Sequence, residues 1–477
     1  MLFTQLEFLF FFALVLVLTW LSRNTQWRHR LLLIASYYFY AYWDVRFCGL
    51  LLLSTITDYW VARGISVAAT QQTKKRLLLL SLFVNLGLLA FFKYCNFFID
   101  SAASLLEAAG LGSSSLSIIL PVGISFYTFQ TLSYTIDVYR GVIKPVGRWV
   151  DFALYVSFFP QLVAGPIVRA SEFLPQLQRA PKWSSRRFYA GAQQMLRGAI
   201  KKVILADRLA EMVDVVFAGP DLYSGFTLMI AALAYAGQIY YDFSGYSDLA
   251  IGAAKMMGYR FPVNFRHPYL ATSLSEFWRR WHMTLSRWLR DYLYISLGGS
   301  RSGIVRTTFN LMLTMTLGGL WHGAAWTFVL WGILHGVALG FERSCQRLRS
   351  IGIDQPRSSG SSDQSSRSTV IRVINTSFML LVVMVGWILF RSESIELAGL
   401  YLHRLVGVAD GIHWFPPLAI AAMGCLLVEH ALWRTRLRRV MRLPFNAWYS
   451  PVATTLMIWV LLLYAPKGFR PFVYFQF

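Results

Sequence analysis

Two histidines stand where an ionisable ring is expensive to place. His322 lies in Gly318-Gly319-Leu320-Trp321-His322-Gly323, inside Thr307–Phe341, a tract of 35 residues without Asp, Glu, Lys or Arg. Polar groups inside apolar tracts mark function more often than they do in water-soluble chains. An imidazole titrates near neutrality, so it can take a proton from a nucleophile and return it to a leaving group. The chemistry suggested is that of a general base, or of an acyl-transfer histidine, at a membrane-buried pocket. The plainer reading is a neutral ring hydrogen-bonded across a helix interface, and His335, thirteen residues on, fits that reading better.

The second histidine is His282, in Ser273–Leu297 (SLSEFWRRWHMTLSRWLRDYLYISL). Ser273 and Glu276 have the spacing of a capping box that starts a helix. Trp278, Trp281, Leu285, Trp288, Leu289 and Tyr292 then form an apolar face, opposed by Arg279, Arg280, Arg287 and Arg290. The pattern predicts a basic amphipathic helix lying at the membrane interface. One helical turn from Trp278 and Ser286, His282 would look inward beside the tryptophans. Arg279 and Arg280 are suited to lipid headgroups or to the phosphates of an anionic donor.

A third patch, Tyr240–Asp248, sets Asp242 and Asp248 among hydroxyls at the end of an apolar tract. It reads as a capped helix–loop junction or as part of a polar cavity lining. There is no GxSxG elbow, Walker A loop, HExxH pair or CxxC pair. His267 and His282 are too far apart for a helical metal pair, so no metal site is expected. Cys48, Cys95, Cys345 and Cys425 are scattered and read as small buried hydrophobes.

Such residues need a scaffold, and composition says which kind. Of 477 residues, 56% are hydrophobic and 14% charged, with a mean hydropathy of +0.48. Soluble chains carry about 25% charged residues, so this is a polytopic membrane protein and not a disordered, fibrous or disulfide-stapled one. The net charge of +22 sits in short loops between apolar tracts. That pattern fits positive-inside topology and anionic lipid, and it argues against nucleic acid.

Spans are expected at Phe3–Leu21 (uncleaved), Leu31–Tyr42, Phe47–Ala62, Leu77–Phe92 and Leu116–Val138. Alternate loops between them hold ten basic residues against two, which places the N-terminus outside. Further spans are expected at Ser377–Phe390, Pro416–Trp433 and Trp448–Tyr464, with Asn96–Ser115 and Arg391–Phe415 as short outside loops. Phe158–Pro166 has two prolines and a glycine in an apolar run, a sign of irregular backbone buried by protein or lining a cavity. Ala190–Phe217 suits interfacial helices. We expect one membrane-embedded domain over 1–477: spanning helices in 1–148, a core with re-entrant and interfacial helices in 149–342, a cytoplasmic linker in 343–372 that is Ser-rich and flexible over Pro356–Thr369, and spanning helices in 373–477.

Five ordered stretches make the chain recognisable. They are Ser125–Gly141 (SFYTFQTLSYTIDVYRG), Phe158–Arg169 (FFPQLVAGPIVR), Tyr241–Phe261, Phe277–Gly299 and Leu317–Gly336 (LGGLWHGAAWTFVLWGILHG). They resemble the membrane-bound O-acyltransferases, specifically the bacterial alginate O-acetyltransferase branch. The resemblance implies an all-α, polytopic fold of about 10–12 spanning helices around a central tunnel. It also implies acyl transfer, with His322 matching the family's catalytic histidine and His282 a second active-site histidine. Trp278, Trp321, Asp242, Arg279 and Arg280 are then candidates for the tunnel lining. An acetyl-CoA-type thioester, or an acyl carrier, would enter from the cytoplasm, with no resident cofactor. His282 or the Trp321 indole N–H would donate to the developing oxyanion.

The expected setting is the bacterial inner membrane and the expected final acceptor an exopolysaccharide, alginate or cellulose-like. The outside loops are too short to grip a polymer, and the resemblance points to a periplasmic partner related to SGNH hydrolases. Two other readings remain at this stage: D-alanyl transfer to a cell-wall polymer, and a polysaccharide or acyl-lipid transporter.

Overall fold

The apolar tracts become helices, and their ends follow from local capping chemistry. In the computed structural model, residues 1, 3–108, 110, 116–163, 165–351, 361–433, 435, 443–464 and 472 are described. The first tracts form helices Leu6–Leu21, Thr25–Ala41, Arg46–Val67 and Gln71–Leu89. Asn24 and Thr70 cap the second and fourth of these through their side chains. The expected span Leu116–Val138 is helical only from Ile124, because Gly123 turns the chain at φ +79°. Asn96–Ser115, expected as a loop, is largely the helix Cys95–Ala108, continuing from a π-helical turn at Ala90–Tyr94; residues 111–115 lie outside the described ones. Apolar Phe97 and Phe98 suit that continuation.

Chain contacts divide the protein into two compact units. One comprises Met1–Ile200, Gly245–Val263 and Pro444–Trp459; the other comprises Lys201–Ser244, Asn264–Leu443 and Val460–Phe477. In the first unit, Phe158–Pro166 is irregular as expected. A single turn at Phe159–Leu162 separates helices Trp149–Ser157 and Ala170–Leu177, and its side chains are buried.

The second unit contains both histidines. Its helices are Asp207–Ala218, Leu274–Arg280, Met283–Trp288, Gly303–His322, Trp326–Ile351, Ser361–Arg391, Ile395–Val406 and Pro417–Trp433, together with the first part of Gly225–Met256. Ser273–Leu297 is therefore two short helices and a π-helical turn at Leu289–Tyr294, not one amphipathic helix. The Ser-rich stretch is also corrected: residues 361–369 are the opening turns of Ser361–Arg391, since extending an existing helix costs little. Residues 356–360 lie outside the described ones. Within Arg391–Phe415, expected as a loop, Ser394 caps the helix Ile395–Val406 by accepting from Leu397 N.

Among the described residues, Gln71–Ala103 and Val370–Arg391 are long and apolar enough to cross a membrane, while Leu6–Leu21, Pro417–Trp433 and Tyr449–Tyr464 are shorter apolar helices. Length and apolarity alone thus account for two crossings. Other helices bury polar groups that dilute their hydropathy. Arg46–Val67 encloses Asp58, which accepts from Ser81, from Asn85 Nδ2 at 2.9 Å and from Thr135 Oγ1 at 3.0 Å.

Candidate functional site

Thr307–Phe341 is too long for one straight crossing of a roughly 30 Å hydrocarbon core, and the glycines of Gly318–Gly323 suggest a break there. The helix instead runs unbroken through Gly318 and Gly319 to His322, and the break falls at Gly323–Ala325, between helices Gly303–His322 and Trp326–Ile351. The two pack as a hairpin because Gly332, Gly336 and Gly340 recur every fourth residue on one face. A Cβ at Gly332 would stand 2.5 Å from Met315 O and Thr316 Cα, and one at Gly336 would stand 2.5 Å from Met312 Cα. Small residues let the backbones touch, which is how helices associate where no hydrophobic effect drives them together. His322 is the last residue of its helix and 5% exposed.

His282 reaches the site by a different device. Ser273 Oγ accepts from Glu276 N at 3.2 Å, as the capping box predicts. The returning Glu276 carboxylate accepts from Thr272 N and Oγ1, one residue earlier than that motif requires. The helix stops at Arg280, and His282 takes a left-handed conformation at φ +39°. Such a conformation costs a non-glycine residue of order 1–3 kcal/mol and persists only where the surroundings over-determine it. Asn264 does so here. Its carbonyl oxygen accepts from Met283 N at 2.9 Å, and its Oδ1 accepts from Thr284 N at 3.2 Å and Thr284 Oγ1 at 3.0 Å.

The same Oδ1 lies 3.2 Å from His282 Nδ1. Two donors already identify that atom as the amide oxygen, so Nδ1 of the ring carries the hydrogen. In the neutral tautomer Nε2 is then an acceptor, and it has no hydrogen-bond partner among the described residues. The expected donation from His282 to an oxyanion does not fit this tautomer; proton acceptance does.

The imidazoles of His282 and His322 approach to 6.4 Å between ring centroids. Trp321 lies 5.1 Å from His322 and 6.0 Å from His282. Trp331 and Phe390 meet the His322 ring edge-on at 5.4 and 5.2 Å, and Phe243 meets His282 at 4.5 Å. Trp278 stands one ring further out, 5.5 Å from Trp331 and 5.1 Å from His335. His335 is 1% exposed against these two indoles, a packing position. Both candidate histidines thus sit in an aromatic chamber that keeps water away and strengthens any electrostatic interaction inside.

The charged candidates lie differently. Asp242 is buried beside Lys202, with Nζ 2.7 Å from Asp242 Oδ1 and 2.9 Å from Asp207 Oδ1. Lys202, read as part of an interfacial helix, turns inward from a π-helical turn at Ile200–Ala206. Arg280 pairs with Glu276 at 2.5 Å, whereas Arg279 is exposed. Burial works against the Glu276 carboxylate, but the Thr272 bonds and Arg280 hold it below the usual carboxylate range. This glutamate sits on a seven-residue helix, too short to span a bilayer. His267 stacks on Trp433 at 4.1 Å, and no three His, Cys, Asp or Glu groups gather as metal ligands among the described residues.

Asn264, Phe243, Trp331 and Phe390 were not anticipated. The every-fourth glycines were visible in the sequence and would have paired the helices, bringing Trp331 beside His322. Asn264 acts across 18 residues and leaves no local signal.

Comparison with known proteins places the chain in a family. The family model described as MBOAT, membrane-bound O-acyltransferase family, matches residues 2–384, which include Asn264, His282 and His322. The chain is 44% identical over 401 residues to "Probable alginate O-acetylase AlgI" of Azotobacter vinelandii, covering 83% of this chain and 76% of that one. It is 34% identical to "Peptidoglycan O-acetyltransferase" of Helicobacter pylori, covering 81% and 75%. Similarity to "Teichoic acid D-alanyltransferase" of Streptococcus thermophilus is 30% and covers 46% and 55%. A family model over most of the chain, together with relatives of 34–44% identity covering about four fifths of it, leaves one conclusion: this protein belongs to the membrane-bound O-acyltransferase family and is an acyl-transferring enzyme.

Proposed function

We propose that this chain is an inner-membrane O-acetyltransferase that passes an acetyl group from a cytoplasmic thioester toward an extracellular polysaccharide. The observation that carries the reading is the buried pair of imidazoles, 6.4 Å apart inside an aromatic chamber. The names of the relatives, which speak of alginate and of peptidoglycan acetylation, support a polysaccharide as final acceptor. The D-alanyl alternative draws on a relative matched over less than half of this chain. About 10–12 crossings around a tunnel belong to the same reading.

The chemistry follows from the two rings. An acceptor hydroxyl held between them loses its proton to His322 as its oxygen attacks the thioester carbonyl carbon. His282 Nε2, an acceptor by virtue of Asn264, takes a hydrogen bond from a second O–H or N–H of the acceptor molecule and so holds it in line. The tetrahedral oxyanion is stabilised by the Trp321 indole N–H. The carbon–sulfur bond then breaks, and the leaving thiolate takes the proton back from His322. The donor is a soluble acetyl-CoA-type thioester or acyl carrier, with no resident cofactor. The hydroxyl belongs to an SGNH-hydrolase-like periplasmic partner, which carries the acetyl group to the polymer.

Vesicles reconstituted with the purified chain, labelled acetyl-CoA and polymer test this. His322→Ala should lower transfer by about 10²–10⁴-fold at unchanged abundance. Adding the partner to wild-type vesicles should raise polymer acetylation. Normal transfer by His322→Ala refutes the catalytic assignment, and full regiospecific acetylation without the partner refutes the relay.

A further inference from the structure

At the open end of the hairpin, away from His322, lies a cavity of about 460 Å³ lined by Ser300, Arg301, Gly303, Ile304, Thr307, Arg343, Gln346 and Arg347. Arg343, Gln346 and Arg347 share one face of the Trp326–Ile351 helix, since residues three and four apart are neighbours. Three guanidinium groups therefore border the cavity, and no carboxylate does. Arg301 and Arg343 have no ion-pair partner among the described residues. The nearby Glu342 is engaged elsewhere: it accepts from Leu274 N at 2.7 Å, from Ser275 N at 3.3 Å and from Gln346 Nε2 at 3.1 Å.

The fourth wall is the start of the 20-residue Gly303–His322 helix. Ser302 makes no side-chain cap there, so first-turn N–H groups are left without that partner at the positive end of the helix dipole. Uncapped amides and the unpaired guanidinium groups of Arg301 and Arg343 around a space of this size form a receptor for a doubly or singly charged oxyanion. The cavity is larger than one phosphate needs, and it leaves room for a glycerol or ribose beside it.

We propose that this cavity binds a phosphate-bearing anion, held by Arg301, Arg343 and Arg347 over the start of the Gly303–His322 helix. At 1.5 Å per residue the cavity is about 25–30 Å from His322 along the helix. The ligand therefore takes no part in bond making at the imidazoles, and this site stands independently of the reaction proposed above. It pins the open end of the hairpin whose closed end carries His322. Two sources supply the same chemistry, the headgroup of an anionic phospholipid and a soluble phosphate ester.

The test uses the whole chain, purified in neutral detergent. The probes are phosphatidylglycerol, phosphatidylcholine and adenosine 3′,5′-bisphosphate, and native mass spectrometry and thermal midpoint are the readouts. Binding of phosphatidylglycerol over phosphatidylcholine identifies a lipid headgroup; binding of the bisphosphate identifies a soluble ester. Either supports the site, provided that Arg301→Gln with Arg343→Gln weakens that probe by at least about tenfold. Arg301→Lys with Arg343→Lys should retain most of the binding, which separates lost charge from lost fold. Absence of binding of both anionic probes to the wild-type chain overturns the proposal, as does undiminished binding by the glutamine variant.

Discussion

Asn264 Oδ1 lies 3.2 Å from His282 Nδ1 and takes two further bonds from Thr284, so one amide oxygen fixes both the backbone turn and the tautomer of the ring beside it. Removing that oxygen frees the imidazole to rotate and to place its hydrogen on either nitrogen. Asn264→Ala should therefore lower kcat by up to about 10²-fold, as misplacement of a catalytic group by an ångström can do, while KM for the donor changes little. Kinetics on the reconstituted variant decide it. A wild-type kcat would mean that His282 needs no such positioning.

The glycine seam makes a contrasting pair of substitutions informative. Gly336→Val places a side chain 2.5 Å from Met312 Cα, against backbone that cannot step aside. Overpacking of this kind costs typically 1–3 kcal/mol, and the thermal midpoint should fall together with activity. Gly87→Ala, in the helix Gln71–Leu89, meets nothing within 4 Å and should be neutral or slightly stabilising. Equal midpoints for the two variants would sink the seam.

The buried charges of Lys202, Asp207 and Asp242 predict an order of severity. Lys202→Met strands two carboxylates in a dry interior, a loss of about 3–5 kcal/mol by analogy with other broken buried pairs. Asp242→Asn keeps the Lys202–Asp207 pair and should cost less. Chemical denaturation of both variants checks the order, and the reverse ranking contradicts it.

Topology is open to direct labelling. Cysteine at position 113 should react with an impermeant maleimide from outside, and cysteine at 361 only after permeabilisation, as the basic-loop count requires. The opposite pattern would invert every helix.

Much of the site could be read from residue types. An uncharged tract too long for one crossing announced a break and a buried histidine, but the break lies just after His322 and not at Gly318-Gly319, which stay helical. Ser273 and Glu276 announced a helix start. What stayed hidden was tertiary. The amphipathic pattern of Ser273–Leu297 continues through His282 without interruption, yet the helix breaks there because Asn264 satisfies the backbone and side-chain donors of Met283 and Thr284. Asp242 looked like a cavity lining because Lys202, forty residues earlier, carries no local mark of turning inward.

The hairpin that carries His322 has no give, since its helices meet backbone to backbone at Gly332 and Gly336. The opposite sides of the chamber are built from phenyl rings, Phe390 against His322 and Phe243 against His282. For protein engineering the two halves are unequal. On the reaction proposed above, widening the site for propionyl or butyryl donors is a matter of trimming Phe390 or Phe243, whereas substitutions along the glycine face would displace His322 before they made any room.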